Sequence, residues 1–340
     1  MKKAVLLINL GTPDAPSPSK VGKYLTQFLN DRRVIDINPM GRFLLVNLII
    51  VPFRRFKSAK LYQHIWTKEG SPLLAYGVAL KQKLQQQLGN DYIVELAMRY
   101  QNPSIHQALE ALRKQTPSSI HIIPLYPQYA SSSTGSTLEE VMKQIKGWEV
   151  IPDLKMTSRF HQHPAFIEAL IEEGKKHRHA DYDHVLFSYH GLPERHIHKS
   201  SAHYGNGSCN FGNCCDVINS NNQYCYRANC MATTRELVKA LQIPEGKYTS
   251  TFQSRLNDKW LKPYSDKVIE ALGKKGAKKL LVFSPAFVAD CLETIHEIGT
   301  EYEVLFKEHG GQKVTLVNSL NTNDKWVDAL RQMVVGNPAN

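Results

Sequence analysis

Three groups of residues in this 340-residue chain could do chemistry: a histidine closing an apolar run, a row of glutamates, and a cluster of cysteines. Residues 185–189, Val-Leu-Phe-Ser-Tyr, have the make-up of a buried strand, and His190 follows at a Gly-Leu-Pro turn. A neutral imidazole there can accept a proton or ligate a metal. Glu293, Glu297 and Glu301 recur at i, i+4 and i+8 after another apolar run that ends at Pro285. On an α-helix beginning near Asp290, that spacing puts all three on one face. Most such rows are solvated surface, but one that starts just beyond a strand end also suits a divalent cation or a proton relay. Together, His190 and Glu293 would make a base with a charged partner. His196, His198 and His203 lie in a polar segment and read as ordinary loop residues.

The cysteines are spaced Cys209-x4-Cys214-Cys215-x9-Cys225-x4-Cys230 within a Gly/Asn/Ser-rich stretch. So little apolar content cannot order a loop by burial, which leaves a metal or a cross-link to hold it. The x4 spacing lies at the upper limit of zinc-type pairs, and four thiolates suit a 2Fe-2S cluster equally well. Five candidates for four places leave one spare. Cys214 and Cys215, being adjacent, do not both bind one metal easily. Free thiols or a disulfide are the remaining readings, and a reducing compartment argues against them. Cys291 stands apart, at the start of the acidic row.

These groups need a scaffold, and the chain is long enough to bury a large core without disulfides. Lys and Arg number 42 against 31 Asp and Glu, a formal charge of +11, which favours an anionic partner: nucleic acid, a lipid headgroup surface or an acidic small molecule. The opening MKKAVLLINLGTPDAPSPS sets lysines before an apolar run, but that run covers only residues 4–10 and no small-x-small cleavage site follows. It reads as a first strand rather than a signal peptide. Residues 43–53, FLLVNLIIVPF, fall short of the ~20 apolar residues that span a bilayer. A soluble, cytoplasmic protein is expected. The wider stretch 39–57 closes on Arg54, Arg55 and Lys57. A buried helix or strand is the commoner explanation of such a run; the alternative is an exposed apolar lip that touches a membrane or admits a flat apolar ligand.

Strand-like runs at 4–10, 92–100 and 120–125 alternate with helical patterns at 21–29, 75–88 and 105–114, which is the rhythm of an α/β fold. The run at 120–125 leads into Tyr126-Pro-Gln-Tyr-Ala-Ser-Ser-Ser-Thr-Gly135, a substrate wall if strand ends carry the site and a helix start otherwise. The second half restates the first. Residues 4–13 align with 184–193, sharing V-L and G-x-P, and Glu110-Ala-Leu leads to Pro124 as Glu270-Ala-Leu leads to Pro285. Two similar Rossmann-like βαβ halves with parallel sheets are expected to face a central cleft, as domains 1–155 and 156–335. The alignment sets His190 opposite Leu10.

The segments LINLGTPDAP, FLNDRRVI, EGSPL, MRYQNPSI, PLYPQYASSSTGS, FSYHGLPERH, TFQSRL with KWLKPY, and SPAFVADCLETIHEI follow one another along nearly the whole chain. In content and order they resemble the ferrochelatases, terminal enzymes of haem synthesis. The resemblance implies the chelatase fold and insertion of Fe2+ into protoporphyrin IX with release of two protons, a lyase reaction. It implies that His190 takes pyrrole protons and contacts the iron, that Glu293 is its acidic partner, and that Glu297 and Glu301 continue a proton or metal path. Matched to porphyrin walls are Leu10, Arg99, Tyr100, Tyr126, Ser132, Trp260 and Phe287. Residues 43–53 fall where the family has its lip, which implies peripheral membrane contact.

There are two departures from the family pattern. Cys291 stands where the family often has a histidine. The cysteine segment 206–230 is, over 206–226, an insertion relative to many bacterial members, and some members carry a 2Fe-2S cluster in an internal segment of this kind. The resemblance thus implies a cluster on four of Cys209, Cys214, Cys215, Cys225 and Cys230, with Cys230 the weakest claimant because relatives without the insertion retain a cysteine there. Rival readings are a chelatase for coproporphyrin, cobalt or nickel, and a basic nucleic-acid-binding protein with a zinc module. The latter lacks a Lys/Arg stripe beside its cysteines, so no nucleic acid is expected as partner.

Overall fold

The structure, a computed structural model, describes residues 2–336. The described residues form two compact units, the first made of residues 2–126, 131–159 and 321–336 and the second of residues 127–130 and 160–320.

In the first unit the elements follow as β1 (Lys3–Gly11), α1 (Pro18–Leu29), α2 (Pro39–Leu44), α3 (Val51–Ile65), α4 (Pro72–Leu88), β2 (Tyr92–Tyr100), α5 (Ile105–Arg113), β3 (Ser119–Pro124), α6 (Ser136–Ile145) and β4 (Asp153–Met156). All pairings are parallel in the order β2-β1-β3-β4, with Val5 opposite Val94 on one side and His121 on the other. Residues 4–8 of β1 are buried without alternation, as expected for a central parallel strand covered on both faces. The helices start where the sequence caps them. Ser17 accepts from the Lys20 amide ahead of α1, and Ser104 forms a capping box with Gln107 at α5.

The second unit runs α7 (Pro164–Lys175), β5 (His184–His190), α8 (Glu194–Tyr204), α9 (Tyr226–Leu241), β6 (Tyr248–Gln253), α10 (Ser265–Lys274), β7 (Lys279–Phe283), α11 (Tyr302–Glu308) and β8 (Lys313–Leu316). Its order, β6-β5-β7-β8, repeats that of the first. The repetition extends to detail. Met98 N donates to Pro103 O at 2.6 Å where β2 ends, and Phe252 N donates to Pro263 O at 2.8 Å where β6 ends. In each unit a π-helical segment follows the third strand, Ser131–Gly135 in one and Glu293–Glu301 in the other. The duplication expected from sequence therefore holds at the level of topology.

The last helix, α12 (Asp324–Val335), rejoins the first unit, whereas the sequence pattern had carried the second half on to residue 335. It packs on α4, burying Trp326, Val327 and Leu330, and Lys83 Nζ reaches Asp324 Oδ1 at 2.7 Å and Thr322 O at 2.9 Å.

The apolar stretch 39–57 is not core. It forms α2, a π-helical segment Leu45–Ile50 and the start of α3, and only Val46 and Val51 within it are buried. Met40, Phe43, Leu44, Leu48, Ile49, Phe53 and Phe56 are exposed, Phe53 to 77%. A run apolar on every side can bury only the side that meets α1, so the other faces stay in solvent. No helix among the described residues is long and apolar enough to cross a membrane.

Candidate functional site

In the first unit the candidate residues gather where strands end. Leu10 is half-buried at the end of β1. The next residue must be glycine: Gly11 has φ +118°, and a Cβ there would lie 2.0 Å from Tyr100 O. Arg99, expected to face an anionic ligand, is instead committed. Its Nη2 bonds Asp31 Oδ2 and its Nε bonds Ser136 Oγ, each at 2.7 Å, and the guanidinium lies over the Tyr100 ring. Tyr100 is fully buried with its hydroxyl 2.9 Å from Asp31 Oδ2, so it supports the site from behind and offers no face to a ligand. Asp31 was not among the expected site residues. Burial is the strongest influence on its carboxyl and pushes the pKa up, but bonds from Ser136, the Arg33 amide, Arg99 and Tyr100 together hold it below the usual carboxylate range. The only sequence sign of this role was a lone acid closing a helix in FLNDRR. Tyr126 and Ser132 are partly exposed, and the Tyr126 hydroxyl lies 3.4 Å from Thr137 Oγ1.

In the second unit His190 closes β5, half-buried, with Nδ1 2.7 Å from Gly191 O. A carbonyl can only accept, so Nδ1 carries the proton in the neutral ring and Nε2 carries the lone pair. The His190 carbonyl in turn accepts from Tyr226 Oη at 2.8 Å, and the Phe287 ring lies 6.3 Å from the imidazole. Trp260 is half-buried against Gly191, where a Cβ would come within 3.3 Å of its ring and 2.7 Å of Gln253 O.

The acidic row starts after β7, the strand beside β5, but it is not the α-helix its spacing suggested. Across the π-helix Glu293–Glu301, i→i+5 bonding widens the turn, which brings side chains five apart within reach while those four apart keep to one side. His296 Nε2 accordingly meets Glu301 Oε1, five residues on, at 3.3 Å. The three glutamates differ in their partners. Glu293 is half-buried beside the Cys291 thiol, and Glu301 is exposed. Glu297 accepts from the Ser254 amide (2.9 Å) and Tyr302 Oη (3.1 Å) on one oxygen, and from Gln253 Nε2 (3.1 Å) and Ser254 Oγ on the other. A carboxylate has about four acceptor positions, and all are filled. Burial, then the Glu297 charge, push the Tyr302 hydroxyl above its ordinary pKa, so it stays a donor.

The sequence model of one protein family, described as Ferrochelatase, matches residues 2–337. The chain belongs to the ferrochelatase family. A curated relative named Ferrochelatase from Coxiella burnetii (strain Dugway 5J108-111) is 45% identical over 336 residues, covering 98% of this chain and 93% of that one. Another, from Legionella pneumophila (strain Lens), is 43% identical over 335 residues, covering 98% and 99%. Among solved structures, SirB from Bacillus subtilis with Fe3+ superposes with a TM-score of 0.52 at 14% identity, covering 98% of this chain and 96% of that one. The sirohydrochlorin chelatase SirB from Bacillus subtilis subspecies spizizenii in complex with cobalt gives 0.51 at 13%, covering 100% and 97%. At such identities the likeness is one of fold, and it is the chelatase fold. Membership of the ferrochelatase family over the whole chain displaces the reading as a zinc-bearing nucleic-acid binder.

In this ferrochelatase-family chain the cysteine segment joins α8 to α9. Hydrogen bonds to its backbone help to order it. Asn222 Nδ2 bonds the carbonyls of Cys214 and Val217, both at 2.7 Å, and Arg235 Nη1 bonds the Cys215 carbonyl at 3.0 Å. Cys209 interacts with Cys214, Cys215 hydrogen-bonds Cys225, and the Cys214 and Cys215 sulfurs are 3.8 Å apart. The Cys215 bond, the largest influence, lowers the Cys225 pKa. Cys230 sits apart on the buried side of α9 beside Tyr226, its thiol pushed well up by burial. Among the described residues no three His, Cys, Asp or Glu side chains converge on one metal-ion position. Cys291 is likewise buried, and burial and then the Glu293 charge keep it a thiol.

The Arg99–Asp31 pair yields a first expectation. Asp31→Asn leaves a guanidinium that is 14% exposed without its main counter-charge, and should cost about 3 kcal/mol in urea unfolding. A variant as stable as the parent would show that the pair is solvated and dispensable.

Proposed function

We propose that this chain inserts ferrous iron into protoporphyrin IX to give protohaem, releasing two protons, a lyase reaction that ends haem biosynthesis. The observation that carries the reading is the fixed tautomer of His190 at a strand end of a ferrochelatase-family chain. With Nδ1–H held by Gly191 O, Nε2 is the proton acceptor. Metallation requires a pyrrole nitrogen to turn its lone pair out of the macrocycle plane, a distortion that binding energy from the rest of the porphyrin can supply. His190 Nε2 then takes a pyrrole proton, and the Glu293 carboxylate stabilises the imidazolium and contacts the incoming Fe2+. His190 passes that proton to solvent water and takes the second, and the dianionic macrocycle closes on the iron. Trp260 and Phe287, in the same unit as His190, are the apolar contacts proposed for the disc. The acidic row is proposed as a proton or metal path, with exposed Glu301 at its outer end and half-buried Glu293 at its inner end. Glu297 acts as a fixed negative charge, because to join such a path it must first lose one of its four donors.

We assign the lip to peripheral contact of a cytoplasmic protein with a membrane. Phe43, Leu48, Ile49 and Phe53 would enter the interface while Arg54 and Lys57 meet anionic headgroups. For the cysteines we propose a 2Fe-2S cluster on Cys209, Cys214, Cys215 and Cys225. Such a cluster takes two thiolates per iron, which suits thiols standing as linked pairs better than a site for one ion. When bound it supplies a rigid cross-link; the insertion reaction is not redox and needs no electron from it. Cys230, engaged with Tyr226, is the spare.

With ferrous iron and protoporphyrin supplied anaerobically, the purified chain should form haem. In a panel of metals and porphyrins, preference for cobalt or coproporphyrin would reassign the substrate. His190→Ala should lower kcat at least about 100-fold with porphyrin binding retained, and Glu293→Gln should cripple insertion as well; near-normal turnover in either removes that residue from the mechanism. Purified protein should be red-brown, and Cys225→Ser should lose the colour and some folded yield; a colourless parent rules the cluster out. Phe53→Asp should weaken co-sedimentation with anionic vesicles, and equal binding would detach the lip from that role.

A further inference from the structure

We infer that Gln253 is a positioning residue that fixes the end of β5, and with it His190, against Glu293 and the start of the π-helix. The inference deepens the reaction proposed above and rests on it for the roles of His190 and Glu293. Gln253 closes β6 directly opposite His190 in the parallel register and is 1% exposed. Its backbone oxygen accepts from the amide of Gly191, the residue after His190, at 2.8 Å. Its side-chain Oε1 lies 2.8 Å from Ser188 Oγ, two residues before His190. The other end of the same amide faces two acceptors, Glu293 O at 3.2 Å and Glu297 Oε2 at 3.1 Å. Only an NH2 can satisfy both, so the orientation of the amide is determined.

One buried side chain thus ties the strand that ends in the proposed base to the backbone of its proposed partner. Neighbouring bonds reinforce the link: Ser254 N and Oγ also reach Glu297, and Ser188 Oγ also lies 2.9 Å from Ser265 Oγ, but of these side chains only Gln253 bonds both Ser188 and the Glu293 backbone. Packing alone does not require a glutamine here, since a methionine would fill the same length without polar atoms to satisfy. What the amide adds is a defined separation, and misplacement of reacting groups by about 1 Å can cost 100-fold in rate.

Gln253→Met keeps the length and removes both bonding groups. In the full chain, with ferrous iron and protoporphyrin, kcat should fall about 10- to 100-fold while the porphyrin KM stays within about twofold, a split that mere loss of folded protein would not produce. Amide hydrogen exchange at Ser254 and across Glu293–Glu301 should quicken in the same variant. Ser188→Ala, which removes the contact to Gln253 Oε1 together with that to Ser265 Oγ but leaves the Gln253 bonds to Glu293 and Glu297, should move both readings the same way by less, and it decides the matter by those readings should Gln253→Met fail to fold. A folded Gln253→Met with parental kcat and exchange overturns the inference while haem formation by the parent leaves the reaction standing. If the parent forms no haem, the reaction is wrong, and unchanged exchange in Gln253→Met still overturns the link.

Discussion

The parallel register of β5 with its two neighbours is the constraint on which the second unit's site depends. Parallel strands bring their C-terminal ends to one edge, and there the backbone has no further ladder partners and must turn. His190, Gln253 and the segment leading to Glu293 leave that edge together. The turn after His190 fits only because residue 191 has no side chain, since Gln253 O and the Trp260 ring occupy the space a Cβ would need. Hydrogen bonding then does locally what the ladder does within the sheet: Gly191 to Gln253, Gln253 to Glu293 and Glu297, Ser254 to Glu297.

The first unit solves the same structural problem with different chemistry. There the residue near the end of the second strand is Arg99, and it reaches Ser136, just past the π-helical segment, while Asp31 balances its charge. Duplication has kept the topology and the reach across the sheet edge while exchanging an amide for an ion pair. The apolar Leu10 occupies the strand end where the second unit has a base.

The elements that were legible in the sequence are those set by local pattern. Unbroken apolar runs such as 4–8 and 185–189 became central strands because only a covered parallel strand tolerates apolar residues on both faces. The V-L and G-x-P correspondences exposed the repeat, and His190 was visible because it closes such a run. Features decided by tertiary partners were not legible. Residues four apart imply an α-helix, and nothing in ETIHEIGTE announces the wider π turn or the four donors that gather on Glu297. Arg99 looked like an available cation because its neutralising partner lies 68 positions away. From its composition the lip read more readily as core, for composition does not say whether a second surface exists to cover it. The cysteine loop seemed to need a cross-link for any order, yet Asn222 and Arg235 supply part of it through the backbone.

The return of α12 to the first unit makes that unit discontinuous along the chain. During synthesis, all of the second unit has been made once residue 320 is added, whereas the first still lacks the helix that buries Trp326 and Leu330 against α4. The half made first is therefore the half completed last. Until residues 324–335 emerge from the ribosome, its α4 surface is uncovered.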